Sequence, residues 1–84
     1  MKDIKEIRTR KLMVTLNEWF DDVAYYDDDK EDVVIGDTEQ GCYDSIMKDD
    51  ELHLLGEKFV RAMIHTMFTD WETFVFLSFK YKAN

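Results

Sequence analysis

The sequence predicts a mainly α-helical protein, a small single-domain bundle of three to four helices over residues 1–84. Three observations carry this. Apolar residues recur at helical spacing through most of the chain. There is no proline and there are only three glycines, Gly36, Gly41 and Gly56, which favours long regular elements over a many-turn sandwich. The composition is 45% hydrophobic and 14% aromatic, so the chain folds although 36% of it is charged. At 84 residues the core is only just adequate. The alternative is an α+β fold, with a C-terminal strand at 73–81 and a short strand at 32–36.

The first helix rests on the stripe Leu12, Leu16, Trp19, Phe20 and Val23, with polar Asn17, Glu18, Asp21 and Asp22 between. Ile4, Ile7 and Val14 fall on the opposite side. Either the helix is buried on two sides, or it breaks near Thr9 with that residue as N-cap. It ends around Tyr25–Asp28, because carboxylates at a helix C-terminus oppose the macrodipole. "VVI" at 33–35 is a short strand or an apolar lead-in to the second helix. Asp37 and Gln40 of "DTEQ" have capping-box spacing, and Cys42, Tyr43, Ile46 and Met47 share one face.

A third helix follows from Leu52, Leu55, Phe59, Ala62, Met63 and Met67, capped by Asp49 or Asp50. Gly56 inside it costs about 1 kcal/mol relative to alanine, which calls for close packing as the reason. The last segment, "TDWETFVFLSFKYK", is read as a helix starting at a Thr69–Glu72 capping box. Its β-branched and aromatic run keeps the strand alternative open. Being apolar on all sides, it is expected to lie centrally buried. No repeat or linker interrupts the chain.

Cys42 is the single cysteine, and small secreted domains usually carry cysteine pairs, so a reducing, cytoplasmic setting is expected. The charged start "MKDIKEIRTRK" has no apolar signal core. The longest apolar run, "FVFLSF", is far below the roughly 18–20 residues that span a bilayer, so no membrane role is expected.

The net charge of −8 is unevenly placed. Residues 1–20 carry five basic and three acidic groups, and residues 52–84 carry four and three. Residues 21–51 carry thirteen acids against Lys30 and Lys48, a balance of −11. Such concentration repels itself and attracts positive surfaces. It excludes direct nucleic-acid binding, which needs lysine and arginine on the phosphates.

No chemistry-bearing motif is present. An EF-hand started at Asp27 places Asp27, Asp29 and Glu31 correctly but puts Asp32 where the loop needs glycine and Thr38 where it needs glutamate, so no metal is expected. His53, Glu57, Arg61 and His65 recur every four residues along one helix face. The two histidines are then about 18 Å apart and share no metal; a Glu57–Arg61 pair is the simpler meaning. Cys42 sits on an apolar face as a small hydrophobe. Neither a cofactor nor an enzymatic activity is expected.

What remains is recognition. Tyr25 and Tyr26 open the acidic run, and tyrosine is enriched in interfaces. The candidate partner-binding set is Asp21, Asp22, Tyr25, Tyr26, Asp27, Asp28, Asp29, Glu31, Asp32, Asp37, Glu39, Asp49, Asp50 and Glu51. In size, acidity and lack of catalytic motifs the chain resembles small acidic phage-encoded inhibitors, the DNA mimics and anti-CRISPR proteins. The resemblance implies an inhibitor that occupies the basic surface of a nucleic-acid-binding protein in a host cytoplasm. Binding should then weaken steeply with salt and vanish when Asp27, Asp28, Asp29 and Asp32 are neutralised. The competing expectation is an assembly module, a homodimer or docked subunit held by "WETFVFLSF".

Overall fold

The computed structural model describes residues 3–82. Helix α1 (Ile4–Val23) leads into a two-stranded antiparallel hairpin, β1 (Ala24–Asp27) and β2 (Asp32–Ile35). Helix α2 (Glu39–Met47), a 3₁₀ turn (Leu52–Leu55), α3 (Glu57–Thr69) and α4 (Trp71–Lys82) follow. The protein is mainly α, with four helices, and the short strand at 32–36 is realised as β2. The alternative strand at 73–81 is not formed: that segment is α4.

Helix α1 is continuous. Asp3 accepts the Lys5 N–H and caps it, while the Thr9 hydroxyl donates to the Lys5 carbonyl at 2.7 Å inside the helix. Thr9 is therefore not an N-cap, because its oxygen has a helical carbonyl within reach. The helix is not buried on two sides either. Ile4 and Ile7 are exposed and Val14 is only half-buried, while one face carries Leu12, Met13, Leu16 and Phe20 into the core. The helix stops at Val23, before Tyr25–Asp28, because Ala24 turns extended and the tyrosines find strand partners.

Helix α2 is capped by Thr38, whose hydroxyl accepts the Gly41 N–H at 3.0 Å. The expected Asp37–Gln40 box is thus displaced by one residue: Asp37 accepts the Thr38 N–H, and Gln40 donates to Asp44. Asp49 accepts the N–H groups of Glu51 and Leu52, both at 2.9 Å, and starts the 3₁₀ turn rather than α3. These bonds, the one from Leu52 foremost, hold its carboxyl below the usual range.

Gly56 breaks the expected continuous third helix. Its φ is +93°, and a Cβ there would meet nothing within 4 Å. The glycine is required by its backbone angle, not by close packing. The break rotates the buried stripe of α3 to Val60, Ile64 and Met67, leaving Phe59 and Met63 half-buried and Ala62 exposed.

A single residue, Asp70, joins α3 to α4. Thr69 ends α3 by donating to the His65 carbonyl, so the Thr69–Glu72 box does not form. Asp70 instead accepts the Thr73 N–H and hydroxyl, the latter at 2.6 Å. Helix α4 runs antiparallel to α1. Trp71 stacks near Phe20 with ring centroids 6.2 Å apart, and further along the buried Ser78 hydroxyl donates to the buried Asn17 carbonyl at 3.1 Å. Contrary to expectation α4 is not centrally buried. Phe74 is fully enclosed, but Phe76 and Phe79 are 70% and 67% exposed, because α1 and α3 cover only one side.

Candidate recognition surface

The hairpin pairs Ala24 with Ile35, Tyr25 with Val34, Tyr26 with Val33 and Asp27 with Asp32. Ala24, Val33 and Ile35 pack against the core, as alternation along a strand requires. The Gly36 N–H closes the base on the Val23 carbonyl at 3.0 Å, and a Cβ on Gly36 would sit 3.0 Å from that oxygen. The four-residue tip, Asp28 to Glu31, turns on Asp27, whose carboxylate accepts the N–H groups of Asp29 at 2.9 Å and Lys30 at 3.3 Å. Aspartate favours such turns because its side chain mimics a backbone acceptor. Glu31 completes the turn in the left-handed region at φ 52°.

These contacts sort the fourteen candidates. Asp27 and Asp32 stand opposite each other at the strand ends, a like-charge pairing that costs stability. Each is engaged locally: Asp27 by the turn, Asp32 by the Val33 N–H and, at 3.4 Å, the Trp71 indole N–H. Asp37 and Asp49 hold backbone N–H groups. Glu39 meets His65 at 3.0 Å, and Glu51 meets Lys11 at 3.4 Å. Asp21, Asp22, Asp28, Asp29 and Glu31 are exposed and form no side-chain bond or ion pair among the described residues, and the same holds for Asp50, apart from them beside Glu51. Tyr25 and Tyr26, 54% and 60% exposed, stand between Asp21–Asp22 and the free acids of the tip.

The fourteen residues therefore do not form one face. Asp21 and Asp22 join Tyr25–Asp32 where α1 enters the hairpin. Glu51 is tied to Lys11, ten residues before Asp21, or about 15 Å along the helix, and Asp49 and Asp50 go with it. Asp37 and Glu39 belong to the α2 start. The reduced surface is Asp21, Asp22, Tyr25, Tyr26 and the tip, Asp28, Asp29 and Glu31.

Elsewhere, Cys42 is 1% exposed, and burial, with Asp37 adding repulsion, pushes its thiol up to about 12. It stays protonated and unreactive at neutral pH. The expected histidine ladder is split at Gly56: His53 lies in the 3₁₀ turn, Glu57 pairs with Arg61 at 3.5 Å, and His65 turns to Glu39. Arg61 also lies over the Tyr43 ring, 3.8 Å from its centre, in a groove of about 450 Å³ between α2 and α3. Of the groove's basic side chains, Arg61 and His65 are engaged by these contacts. Among the described residues no three His, Cys, Asp or Glu side chains are gathered to hold a metal, and no helix is long and apolar enough to cross a membrane.

Comparison with protein-family models, curated proteins and solved structures gives no match. The surface is therefore read from its own chemistry. Two residues border the same region without having been assigned to it from sequence: Asn17, and Phe79, which was expected only within the alternative docking segment "WETFVFLSF". Asn17 was hidden because a polar residue inside an apolar stripe reads as solvent-facing. The place of Phe79 beside Asp21 was hidden because an all-apolar segment has no periodic contrast to show which side faces α1.

Proposed function

We propose that the protein is a non-catalytic binder. It offers the acidic hairpin and the adjoining end of α1 to a basic surface of a partner protein, of the kind that contacts nucleic-acid phosphates. One observation carries the reading: five carboxylates, Asp21, Asp22, Asp28, Asp29 and Glu31, stand exposed and unpaired around two exposed tyrosines, while the acids elsewhere in the candidate set are mostly engaged. Unpaired like charge repels itself, and a fold keeps it at a cost that a basic partner offsets. This fits the inhibitor class that the chain resembles, with nucleic-acid mimicry as its mode of action.

The structure changes which residues test it. Asp27 and Asp32 hold the hairpin, so neutralising them confounds binding with folding. The informative variant is Asp28→Asn, Asp29→Asn, Glu31→Gln. Affinity capture from a host lysate at low salt, eluted with salt, should return a basic protein with the wild type and lose it with the triple variant. Capture that survives both high salt and the triple variant sinks the reading.

The exposure of Phe76 and Phe79 favours a second reading, assembly through α4. Light scattering over a range of concentrations separates the two: an oligomer that persists in the triple variant and dissolves in Phe76→Ser supports assembly.

A further inference from the structure

Two shallow grooves meet at Asp21. One, of about 210 Å³, runs between α1 and α4 with Val75 and Phe79 on one wall and Asn17 and Asp21 on the other. The second, of about 250 Å³, lies where α1 enters the hairpin and is lined by Phe20, Ala24, Tyr25, Tyr26 and Val33, again with Asp21. Three of the large apolar side chains that the fold leaves in water, Tyr25, Tyr26 and Phe79, thus border depressions on either side of one exposed carboxylate. Asn17, one turn before Asp21, already accepts from Ser78, whereas Asp21 has no bond among the described residues.

Each groove is smaller than the roughly 300–1,000 Å³ of pockets that enclose a small molecule, so each suits one side chain better than a whole ligand. A carboxylate set between apolar walls loses water when those walls are covered, and this is unfavourable unless a cation arrives with the cover. Arginine answers that need best. Its guanidinium is weakly hydrated, pairs with carboxylate through two parallel bonds and stacks on aromatic rings.

We propose that the paired grooves dock a short segment of a partner protein in which one arginine is flanked on both sides by bulky apolar residues. The arginine pairs with Asp21, and its apolar neighbours enter the grooves beside Phe79 and Tyr26. The proposal rests on the reading of the acidic face as a binder of basic partners, and it adds to that face an apolar anchor that salt does not screen. Charge complementarity fixes the occupant, since the one carboxylate shared by both grooves, Asp21, is unpaired and is followed on α1 by exposed Asp22. A second copy of this chain does not fit. It brings a further net charge of −8, and none of its three arginines, Arg8, Arg10 and Arg61, has a bulky apolar residue on both sides.

The test is a fluorescence-anisotropy titration of the full chain with two synthetic peptides of equal length and charge. One carries leucines on both sides of a central arginine; the other carries serines there. The leucine peptide should bind about tenfold tighter or more. Phe79→Ser, at an exposed position and checked by circular dichroism, should reduce this preference and leave the serine peptide unchanged. Tyr26→Ser serves as the matching variant for the second groove. Equal affinity of the two peptides for the wild type overturns the proposal and leaves the acidic face standing, and so does a leucine preference that survives both variants. Failure of both peptides to bind at low salt removes the acidic face itself. Sedimentation of the protein alone completes the test: a dimer that Phe79→Ser dissolves assigns the grooves to a second copy and also overturns the proposal.

Discussion

Gly56 occupies a backbone region, φ +93° and ψ 147°, that side chains with a Cβ rarely enter, and it lets the chain turn from the 3₁₀ helix into α3. With open space around the missing Cβ, Gly56→Ala isolates the conformational cost. Urea unfolding should show a loss of about 1–3 kcal/mol. Buried Cys42 makes a different prediction. Burial raises its folded pKa from 9.0 to about 12, so the stability contributed by the protonated thiol is fully present below pH 9 and is lost as pH rises toward 12. Stability should fall through that window more steeply in the wild type than in Cys42→Ala, as read from denaturation at each pH. Alkylation of the native thiol at pH 8 should be slow and become fast in denaturant. The aspartates show why side-chain roles resist reading from sequence. Asp27 and Asp28 are neighbours of the same type, yet Asp27 holds two backbone N–H groups and Asp28 none.

Among the elements, the hairpin was half legible. "VVI" marked β2, but its partner was hidden because "AYYD" follows a helix without a break and its tyrosines read as a helix end. The polar run "DDKE" between two β-prone triplets was the signal for a turn. Helix α4 was legible as a helix, but its buried side was not. Its attachment to α1 includes the Ser78–Asn17 hydrogen bond, made in the core. Ser78→Ala leaves the Asn17 carbonyl without that donor and should cost about 1–3 kcal/mol in thermal or urea unfolding, whereas Thr73→Ala, at the exposed start of α4, should cost less. At the α2 start, Thr38→Ala removes the one side-chain cap and should cost about 1 kcal/mol.

At the scale of the whole molecule, most of the charge imbalance lies between residues 21 and 51, and the fold divides it. Part is paired with Lys11 or hydrogen-bonded to His65, and part is left bare at the hairpin. Bare like charge destabilises the native state most at low ionic strength, where the Debye length is long. The melting temperature should therefore rise with added salt, and rise less in Asp28→Asn, Asp29→Asn, Glu31→Gln, because that variant has less repulsion to screen. A melting temperature independent of salt in both proteins contradicts the picture of unpaired charge. Sequence alone determined the helical class, the approximate places of all four helices, the acidic middle third and the absence of a calcium-loop pattern, because each depends on local spacing or on simple counting. Tertiary structure decided which acids are spent and which are free, since Lys11 reaches Glu51 and His65 reaches Glu39 only after the helices pack. It also decided that Phe76 and Phe79 stay in water: α4 is apolar all round, so only the placement of α1 and α3 selects the side that is covered.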